Sequence, residues 1–365
     1  MTGMVDEEEL ADRQARERCH AFLHRPPPPS MREQLLRLAE RPEAEGAQDL
    51  YGQGGPIHVL QERVAGLLGK PAARFVIKGV IAQQSLIRAW CERSGRRTVL
   101  LHNDSHLGID EGSGLEQLHG LRVLRFGGPT HVTVKDLAGV HEPLGVVVVE
   151  IPLRRQGFRL PEWEDLVGVS RWCREAGVPI HLDGARLWEA APAYGRSEAE
   201  IATLFDSVYV SFYKGLAGLA GAAVAGEQDL LDEAAPWSAR LGGNVHSVFP
   251  QVLSALDGLD TLRPRLPAHR DRALELGAAL EGLDGLIVEQ PRSSYFCVHL
   301  RGDADHLRRQ RRIVAEQTGI WLFTNPLPSR LPGYVTVEVA VTDGLARVTN
   351  DDVRRALELL LSGAG

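Results

Sequence analysis

The stretches His181-Leu-Asp-Gly-Ala-Arg186 and Ser207-Val-Tyr-Val-Ser-Phe-Tyr-Lys-Gly215 decide the fold of this 365-residue chain. Each begins as a predicted β-strand that leads into a charged side chain, Asp183 in the first and Lys214, 31 residues later, in the second. Ligands of open α/β sheets bind beyond the carboxyl ends of the strands. Both side chains are therefore expected near a site of chemistry, although an Asp-Gly turn after a strand is also a common structural device.

Helical and strand patterns alternate around these two stretches. The run Gly145–Ile151 (GVVVVEI) reads as a continuously apolar, β-branched strand, which is typical of a parallel sheet buried on both faces. Further strands are predicted at 74–77, 98–102, 121–126, 178–182 and 207–211, and helices at 57–68, 81–93 and 162–176. This alternation predicts βαβ units with right-handed crossovers and an open, mostly parallel sheet.

Composition along the chain predicts three regions. An acidic helical stretch and the run Pro26–Pro29 indicate an N-terminal arm over residues 1–45, because a proline run cannot continue a helix. Residues 46–258 hold the alternating pattern and form the predicted large domain. Strands near 286–290, 294–300 and 334–341 interleave with helices near 303–318 and 350–361, which predicts a smaller α+β domain over residues 259–365.

Charge and composition exclude several functional classes. The net charge of −7 argues against a nucleic-acid partner, since phosphate binding requires a basic face. No apolar run is long enough to span a membrane, and the acidic N-terminus is unlike a secretory signal. The four cysteines are too widely spaced for a zinc site or a disulfide framework. We therefore expect a cytoplasmic protein with reduced thiols and no metal site.

Lysine is scarce, so a catalytic amine has few candidates. The chain has only Lys70, Lys78, Lys135 and Lys214. Lys214 follows a predicted buried strand and precedes a glycine-rich turn, and burial disfavours the ammonium form and makes the amine a better nucleophile. Nucleophilic lysines form Schiff bases with pyridoxal 5′-phosphate (PLP) and with carbonyl compounds. The alternative is an ordinary turn with an exposed lysine.

A third motif, Leu241-Gly-Gly-Asn-Val-His246, carries a glycine pair that is able to form an anion-binding nest. By itself, a glycine pair more often marks a plain loop.

Taken together, the motifs HLDGARL, YKGL and LGGN closely resemble the threonine aldolase and β-eliminating lyase group of fold-type-I PLP enzymes. Asp49-Leu-Tyr-Gly52 and Asn103-Asp-Ser-His106 resemble two further segments of that group, and the resemblance extends over roughly residues 30–360. It implies an α/β fold of the PLP-dependent transferase type, with a seven-stranded, mostly parallel sheet. It also implies PLP as cofactor, an amino acid as substrate, and a homodimer or homotetramer.

The resemblance implies a role for each matching residue. Lys214 would hold PLP as a Schiff base, Asp183 would pair with the pyridine nitrogen, and His106 would stack on the ring. A purely structural histidine is the alternative for His106. Further cofactor contacts are implied for Lys78, Gly79, Val80, Ser211, Arg186 and His246. Substrate contacts are implied for Arg186, Arg155, His24 and Tyr51.

The chain departs from the family pattern mainly at phosphate and substrate contacts. Lys78-Gly-Val80 stands where relatives have Ser-Gly-Thr, so two hydroxyls are lost and Lys78 is the candidate for supplying charge instead. Leu153 replaces a second histidine, and His246 stands where an arginine is usual. The segment that contains His24 lacks the serine of relatives.

The expected reaction is cleavage of the Cα–Cβ bond of a β-hydroxy-α-amino acid into glycine, or another small amino acid, and an aldehyde. His106 or a bound water would take the hydroxyl proton. β-Elimination, racemisation and transamination stay open, because they proceed through the same carbanion. A non-catalytic binding module is a further alternative, which the intact pair of Asp183 and Lys214 disfavours.

Overall fold

The structure is a computed structural model that describes residues 7–128 and 131–363. Its strands, in chain order, are β1 Ala21–Phe22, β2 Ala72–Val76, β3 Thr98–His102, β4 Arg122–Phe126, β5 Leu144–Glu150, β6 Ile180–Gly184, β7 Ser207–Ser211, β8 Ala222–Gly226, β9 Leu286–Val288, β10 Tyr295–Arg301, β11 Ile320–Trp321, β12 Leu327–Pro328 and β13 Tyr334–Ala340.

The α-helices are α1 Glu7–Glu17, α2 Met31–Ala39, α3 Ile57–Leu68, α4 Gly79–Ser94, α5 His106–Ile109, α6 Gly114–Gln117, α7 Val134–Ala138, α8 Trp163–Glu175, α9 Leu187–Tyr194, α10 Glu198–Ala202, α11 Gln228–Arg240, α12 Phe249–Thr261, α13 Leu266–Leu280, α14 Ala304–Thr318 and α15 Asn350–Ser362. Among the described residues, no helix is both long and apolar enough to cross a membrane.

The chain forms two compact units, Met31–Leu266 and a unit that joins residues up to Ser30 with those from Pro267 onward. The expected arm over residues 1–45 is therefore divided at Ser30. Residues 7–30 pack in the C-terminal unit, where Arg311 of α14 pairs with Asp12 of α1. Residues after it belong to the larger unit, where Arg41 pairs with Asp260 at 2.9 Å.

The larger unit contains a seven-stranded sheet in the order β2-β8-β7-β6-β5-β3-β4. Only β8 runs antiparallel to its neighbours, and the other adjacent strands are parallel. The predicted fold class, an α/β fold with a mostly parallel sheet of seven strands, is confirmed. The carboxyl ends of β3, β5, β6 and β7 consequently meet at one edge.

Both faces of this sheet are covered, as the valine run of β5 predicts. Val147 and Val149 enter one buried cluster, whereas Val146 and Val148 enter the cluster on the opposite face. Because side chains alternate along a strand, each face of β5 meets apolar neighbours. This double burial fixes the position of the strand ends that carry the polar groups.

The C-terminal unit is an α+β arrangement. Its antiparallel sheet has the order β12-β13-β10-β9, and β1 and β11 form a separate parallel pair. The apolar residues of β10 and β13 pack with those of α13, α14 and α15 in one buried cluster.

Candidate active site

Three neighbouring strands place polar side chains in one row at the carboxyl edge of the larger sheet. Glu150 of β5 is the register partner of Asp183 of β6, and Asp183 is the partner of Tyr209 of β7. Partners across parallel strands point to the same face. Lys214 follows β7 by three residues, so the lysine and both carboxylates belong to one edge.

Asp183 is buried and hydrogen-bonded as a carboxylate requires. Its Oδ2 accepts a hydrogen bond of 2.8 Å from Nε2 of Gln83, and its Oδ1 accepts one of 3.2 Å from the backbone N–H of Ala185. Buried carboxylates are retained only where such donors compensate for lost hydration. The side chain is thus held as a fixed acceptor.

Lys214 has the electrostatic environment of a nucleophilic amine. Burial lowers its pKa, and the nearby charge of Asp183 partly opposes that change. The following residue, Gly215, packs directly on Glu189 of α9, where an added Cβ would lie 2.3 Å from Oε1. Glycine is therefore required at position 215 by its protein neighbour, rather than by the approach to a flat ring alone.

His106 begins α5 and is fixed at two points. Its backbone N–H donates to Oε2 of Glu150 at 2.8 Å, and its Nδ1 lies 3.4 Å from Oε1 of Glu111. The Glu111 side chain is nearly inaccessible and accepts a hydrogen bond of 3.0 Å from Nε2 of Gln84. Chiefly because of Glu111, the pKa of His106 is raised. The imidazole is therefore coupled to a buried acid.

The N-terminus of α4 offers backbone N–H groups for an anion. This 16-residue helix starts at Gly79, and no side chain caps it. A Cβ at position 79 would come within 2.1 Å of Oη of Tyr209. Val80 is half-buried, whereas Lys78 is exposed with its Nζ 5.9 Å from the ring centroid of Tyr213. Helix N-termini of this kind bind phosphate groups.

Ser211 is fully buried at the end of β7, where its hydroxyl donates a hydrogen bond of 2.7 Å to the carbonyl oxygen of Ala185. The serine thus ties β7 to the turn that follows β6 and leads to Arg186. Its expected contact with phosphate stays a prediction.

The two arginines expected to contact substrate have different surroundings. Arg186 is buried, with Nη1 3.5 Å from Oε1 of Glu189 and its guanidinium 5.3 Å from the ring centroid of Phe158. Arg155 is more exposed and forms a two-point pair with Asp110, through Nε at 3.1 Å and through Nη2. Arg155 therefore already holds a carboxylate of its own chain.

Tyr51 and His246 are brought together, although 195 positions separate them in the sequence. Their ring centroids are 5.1 Å apart, and the backbone N–H of Tyr51 donates to the carbonyl of His246 at 2.9 Å. Tyr51 is exposed and has a φ of 48°, which is unusual for a side chain of this size. His24 belongs to the other unit.

Several polar residues of the site are missed by the sequence patterns. Glu150 is the penultimate residue of the run that reads as apolar, and Gln83 and Gln84 lie inside a predicted helix. Glu111 and Glu189 carry no motif. A signal for Glu150 does exist, because GVVVVE has the same form as HLD, an apolar strand that ends in an acid.

A family model for beta-eliminating lyases matches residues 29–302 of this chain. The chain belongs to this family. A solved structure from Listeria monocytogenes, provisionally an L-allo-threonine aldolase, is 31% identical, with 98% of this chain and 99% of that chain covered and a TM-score of 0.91. One from Exiguobacterium sp. 255-15, provisionally an aromatic amino acid beta-eliminating lyase/threonine aldolase, is 30% identical, with 97% and 99% covered and a TM-score of 0.90.

Among curated relatives of this lyase, the low-specificity L-threonine aldolase 1 of Arabidopsis thaliana is 26% identical over 257 residues. That match covers 67% of this chain and 71% of the plant protein. The matches of this chain to two further curated relatives cover 64% and 50% of the length of those relatives.

Enzymes of this family depend on PLP, and the residues of the site fit that cofactor. The amine of Lys214 suits its aldehyde, the buried Asp183 carboxylate suits its pyridine nitrogen, and the imidazole of His106 suits the face of its ring. The uncapped N-terminus at Gly79 suits its phosphate. Because a Cβ at position 79 would strike Tyr209, this end of the site is kept free of a side chain.

Proposed function

We propose that this lyase cleaves the Cα–Cβ bond of a β-hydroxy-α-amino acid, giving glycine or another small amino acid and an aldehyde. The observation that carries the proposal is the pair of His106 and Glu111 at the same sheet edge as Lys214 and Asp183. An aldol cleavage needs a base for the substrate hydroxyl beside the PLP site, and His106 is a group of that kind.

His106 acts as the proton acceptor in this proposal. Its Nδ1 faces Glu111, so Nε2 on the other side of the ring is the atom that takes the hydroxyl proton. The Glu111 carboxylate then stabilises the positive charge of the imidazolium. Through its N–H bond to Glu150, the backbone of His106 holds the ring in place during the transfer.

The remaining residues bind and orient. Arg186 grips the substrate carboxylate, since its planar guanidinium matches a carboxylate with two donors. Lys214 and Asp183 hold the cofactor, which, when bound, accepts the electron pair released at Cα. Contacts to its phosphate are proposed for Lys78, Gly79, Val80, Ser211 and His246, and further substrate contacts for Arg155, His24 and Tyr51.

Product analysis tests the reaction. Purified protein with PLP is incubated with L-threonine, L-allo-threonine and phenylserine, and separately with serine and cysteine. Aldehyde and glycine from the first set support the proposal. Pyruvate and ammonia from the second set, without aldehyde from the first, would replace it by β-elimination.

A His106→Phe variant tests the assigned base, because phenylalanine keeps a ring for stacking but accepts no proton. We expect kcat to fall by about 10²–10⁴ while PLP remains bound. An unchanged kcat would remove His106 from this role and leave the hydroxyl proton to a bound water.

We also propose that the enzyme is a homodimer or homotetramer in the cytoplasm. The exposed Tyr51 side chain, its unusual φ and its contact with His246 support a subunit contact at this place. The cytoplasmic location is supported by four free cysteines. Cell fractionation checks it, and recovery in an oxidising compartment would contradict it.

A further inference from the structure

We propose that a buried, directed chain of hydrogen bonds from Trp90 to Asp183 orients the Asp183 carboxylate toward the cofactor. We call it the Trp90–Asp183 chain, and its members are Trp90, Ser207, His181, Gln83 and Asp183. This inference rests on the proposed function, because that function makes Asp183 the partner of the pyridine nitrogen. The other four are positioning residues.

The Trp90–Asp183 chain runs from α4 to the sheet, returns to α4 at Gln83 and ends at Asp183 of β6. Nε1 of Trp90 lies 2.8 Å from Oγ of Ser207, which lies 2.9 Å from Nδ1 of His181. Nε2 of His181 lies 3.3 Å from Oε1 of Gln83, and Nε2 of Gln83 lies 2.8 Å from Oδ2 of Asp183. All five residues are buried.

The direction of every bond follows from the carboxylate at the end. Both oxygens of Asp183 accept hydrogen bonds, so the Gln83 amide presents its NH₂ to Asp183 and its oxygen to His181. Nε2 of His181 must then carry a proton to donate to that oxygen. Once the donor and acceptor atoms of one group are assigned, those of the next group along the chain follow.

The same reasoning continues to the far end. Burial lowers the pKa of His181 to about 4, so the ring is neutral near pH 7 and its Nδ1 is an acceptor. Ser207 must therefore donate its hydroxyl proton to Nδ1. Trp90, whose indole can only donate, supplies the bond that Ser207 accepts. All four hydrogen bonds thus run in one direction, toward Asp183.

Helix α4 connects the Trp90–Asp183 chain to the phosphate end of the proposed cofactor site. Gly79 opens the helix at the proposed phosphate site, and Gln83 lies one turn further along it. One rigid helical turn therefore fixes the donor to Asp183 relative to the phosphate end. A cofactor held at both ends would be aligned by the same element.

The Ser207→Ala variant is the sharpest test, because three successive hydrogen bonds separate Ser207 from Asp183. Without the hydroxyl, the ring proton of His181 is free to lie on Nδ1 instead of Nε2. Nε2 would then accept a hydrogen bond, and Gln83 would turn its NH₂ toward His181 and its oxygen toward the carboxylate. Ser207→Thr restores a hydroxyl. Ser85→Ala is the matched control, since Ser85 is buried on α4 but donates to the backbone of Ile81 at 2.6 Å.

Two measurements are made on each holoenzyme, the dissociation constant for PLP by absorbance titration and the tautomer of His181 by ¹⁵N NMR. We expect the neutral Nε2–H tautomer in the wild type and a mixture in Ser207→Ala. The dissociation constant should rise by about tenfold in Ser207→Ala, recover in Ser207→Thr, and stay unchanged in Ser85→Ala. Melting temperatures separate this effect from a general loss of stability.

A wild-type His181 that carries its proton on Nδ1 would overturn the inference. So would a Ser207→Ala variant with wild-type affinity for PLP, or one whose affinity falls only in proportion to Ser85→Ala. Failure of the proposed function looks different, because the wild type would then bind PLP and keep the tautomer but release no aldehyde.

Discussion

At the scale of single residues, Glu150 and Asp183 are register partners that have different surroundings. Asp183 accepts a side-chain amide and a backbone N–H, whereas Glu150 accepts the backbone N–H groups of His106 and Arg154. Burial, together with the charge of Asp183, raises the pKa of Glu150. Of these two neighbouring buried carboxyl groups, Glu150 is therefore the one whose charged form is disfavoured.

This difference predicts a pH dependence of stability. The pKa of Glu150 in the folded protein is raised above its ordinary value of 4.5. The contribution of Glu150 to stability is therefore complete below pH 4.5, and it is lost as the pH rises through the raised pKa of the folded state. Glu150→Gln removes the titration, so its melting temperature should fall less with rising pH than that of the wild type. Exposed Glu164→Gln is the charge-matched control. Parallel curves for wild type and Glu150→Gln would refute the assignment.

Glu111 gives a second prediction, on the pH profile of catalysis. His106 must be neutral to accept a proton, so kcat/KM should fall as the pH drops through its pKa. Glu111 is the main cause of the raised pKa, and Glu111→Gln should therefore move this acidic limb to lower pH. Glu116→Gln on α6 should leave the limb in place. A limb that stays fixed, or moves upward, in Glu111→Gln would contradict the coupling.

At the scale of elements, the turn after β7 packs tightly against α9. A Cβ on Gly215 would meet Oε1 of Glu189 at 2.3 Å, whereas one on Gly66, inside α3, would meet nothing within 4 Å. Gly215→Ala should lower the free energy of unfolding by roughly 1–3 kcal/mol through overpacking. Gly66→Ala should raise it by about 0.5–1 kcal/mol, because alanine favours a helix. Denaturant unfolding checks both, and equal stabilities would contradict the packing argument.

The elements themselves are largely predictable from the sequence. The helix Ile57–Leu68 and the strands Thr98–His102 and Ser207–Ser211 have their predicted bounds, because apolar periodicity is strong where both faces or one clear stripe are buried. Strand β8 and helix α11 were not predicted. The alanine-rich sequence of β8, Ala222–Gly226, has only one of the β-branched residues that mark a strand, Val224.

The site is less predictable than the fold. Lys214, Asp183 and His106 stand out because motifs surround them, whereas Glu111 carries no motif and Gln83 contacts a residue distant in sequence. No local pattern marks a glutamine that faces a carboxylate 100 positions away. Motifs therefore identify the groups that we propose to contact the cofactor, whereas the groups that orient them become visible only in three dimensions.

At the scale of the whole molecule, the assembly is a prediction of its own. Sedimentation of the holoenzyme should show a dimer or tetramer, and Tyr51→Ala should shift the distribution toward the monomer if Tyr51 lies at a subunit contact. A fully active monomer would contradict the proposed assembly. Exposed Leu118, which precedes the edge strand β4 in the sequence, offers a control substitution to Ala.

The proposed Schiff base between Lys214 and PLP is directly testable, because the chain has only four lysines. The protein is loaded with PLP, reduced with borohydride and digested, and the phosphopyridoxyl label is located by peptide mass spectrometry. We expect one label, on Lys214, and the loss of both this label and the visible absorption band in Lys214→Ala. A label on Lys70, Lys78 or Lys135 instead, or no label at saturating PLP, would contradict it.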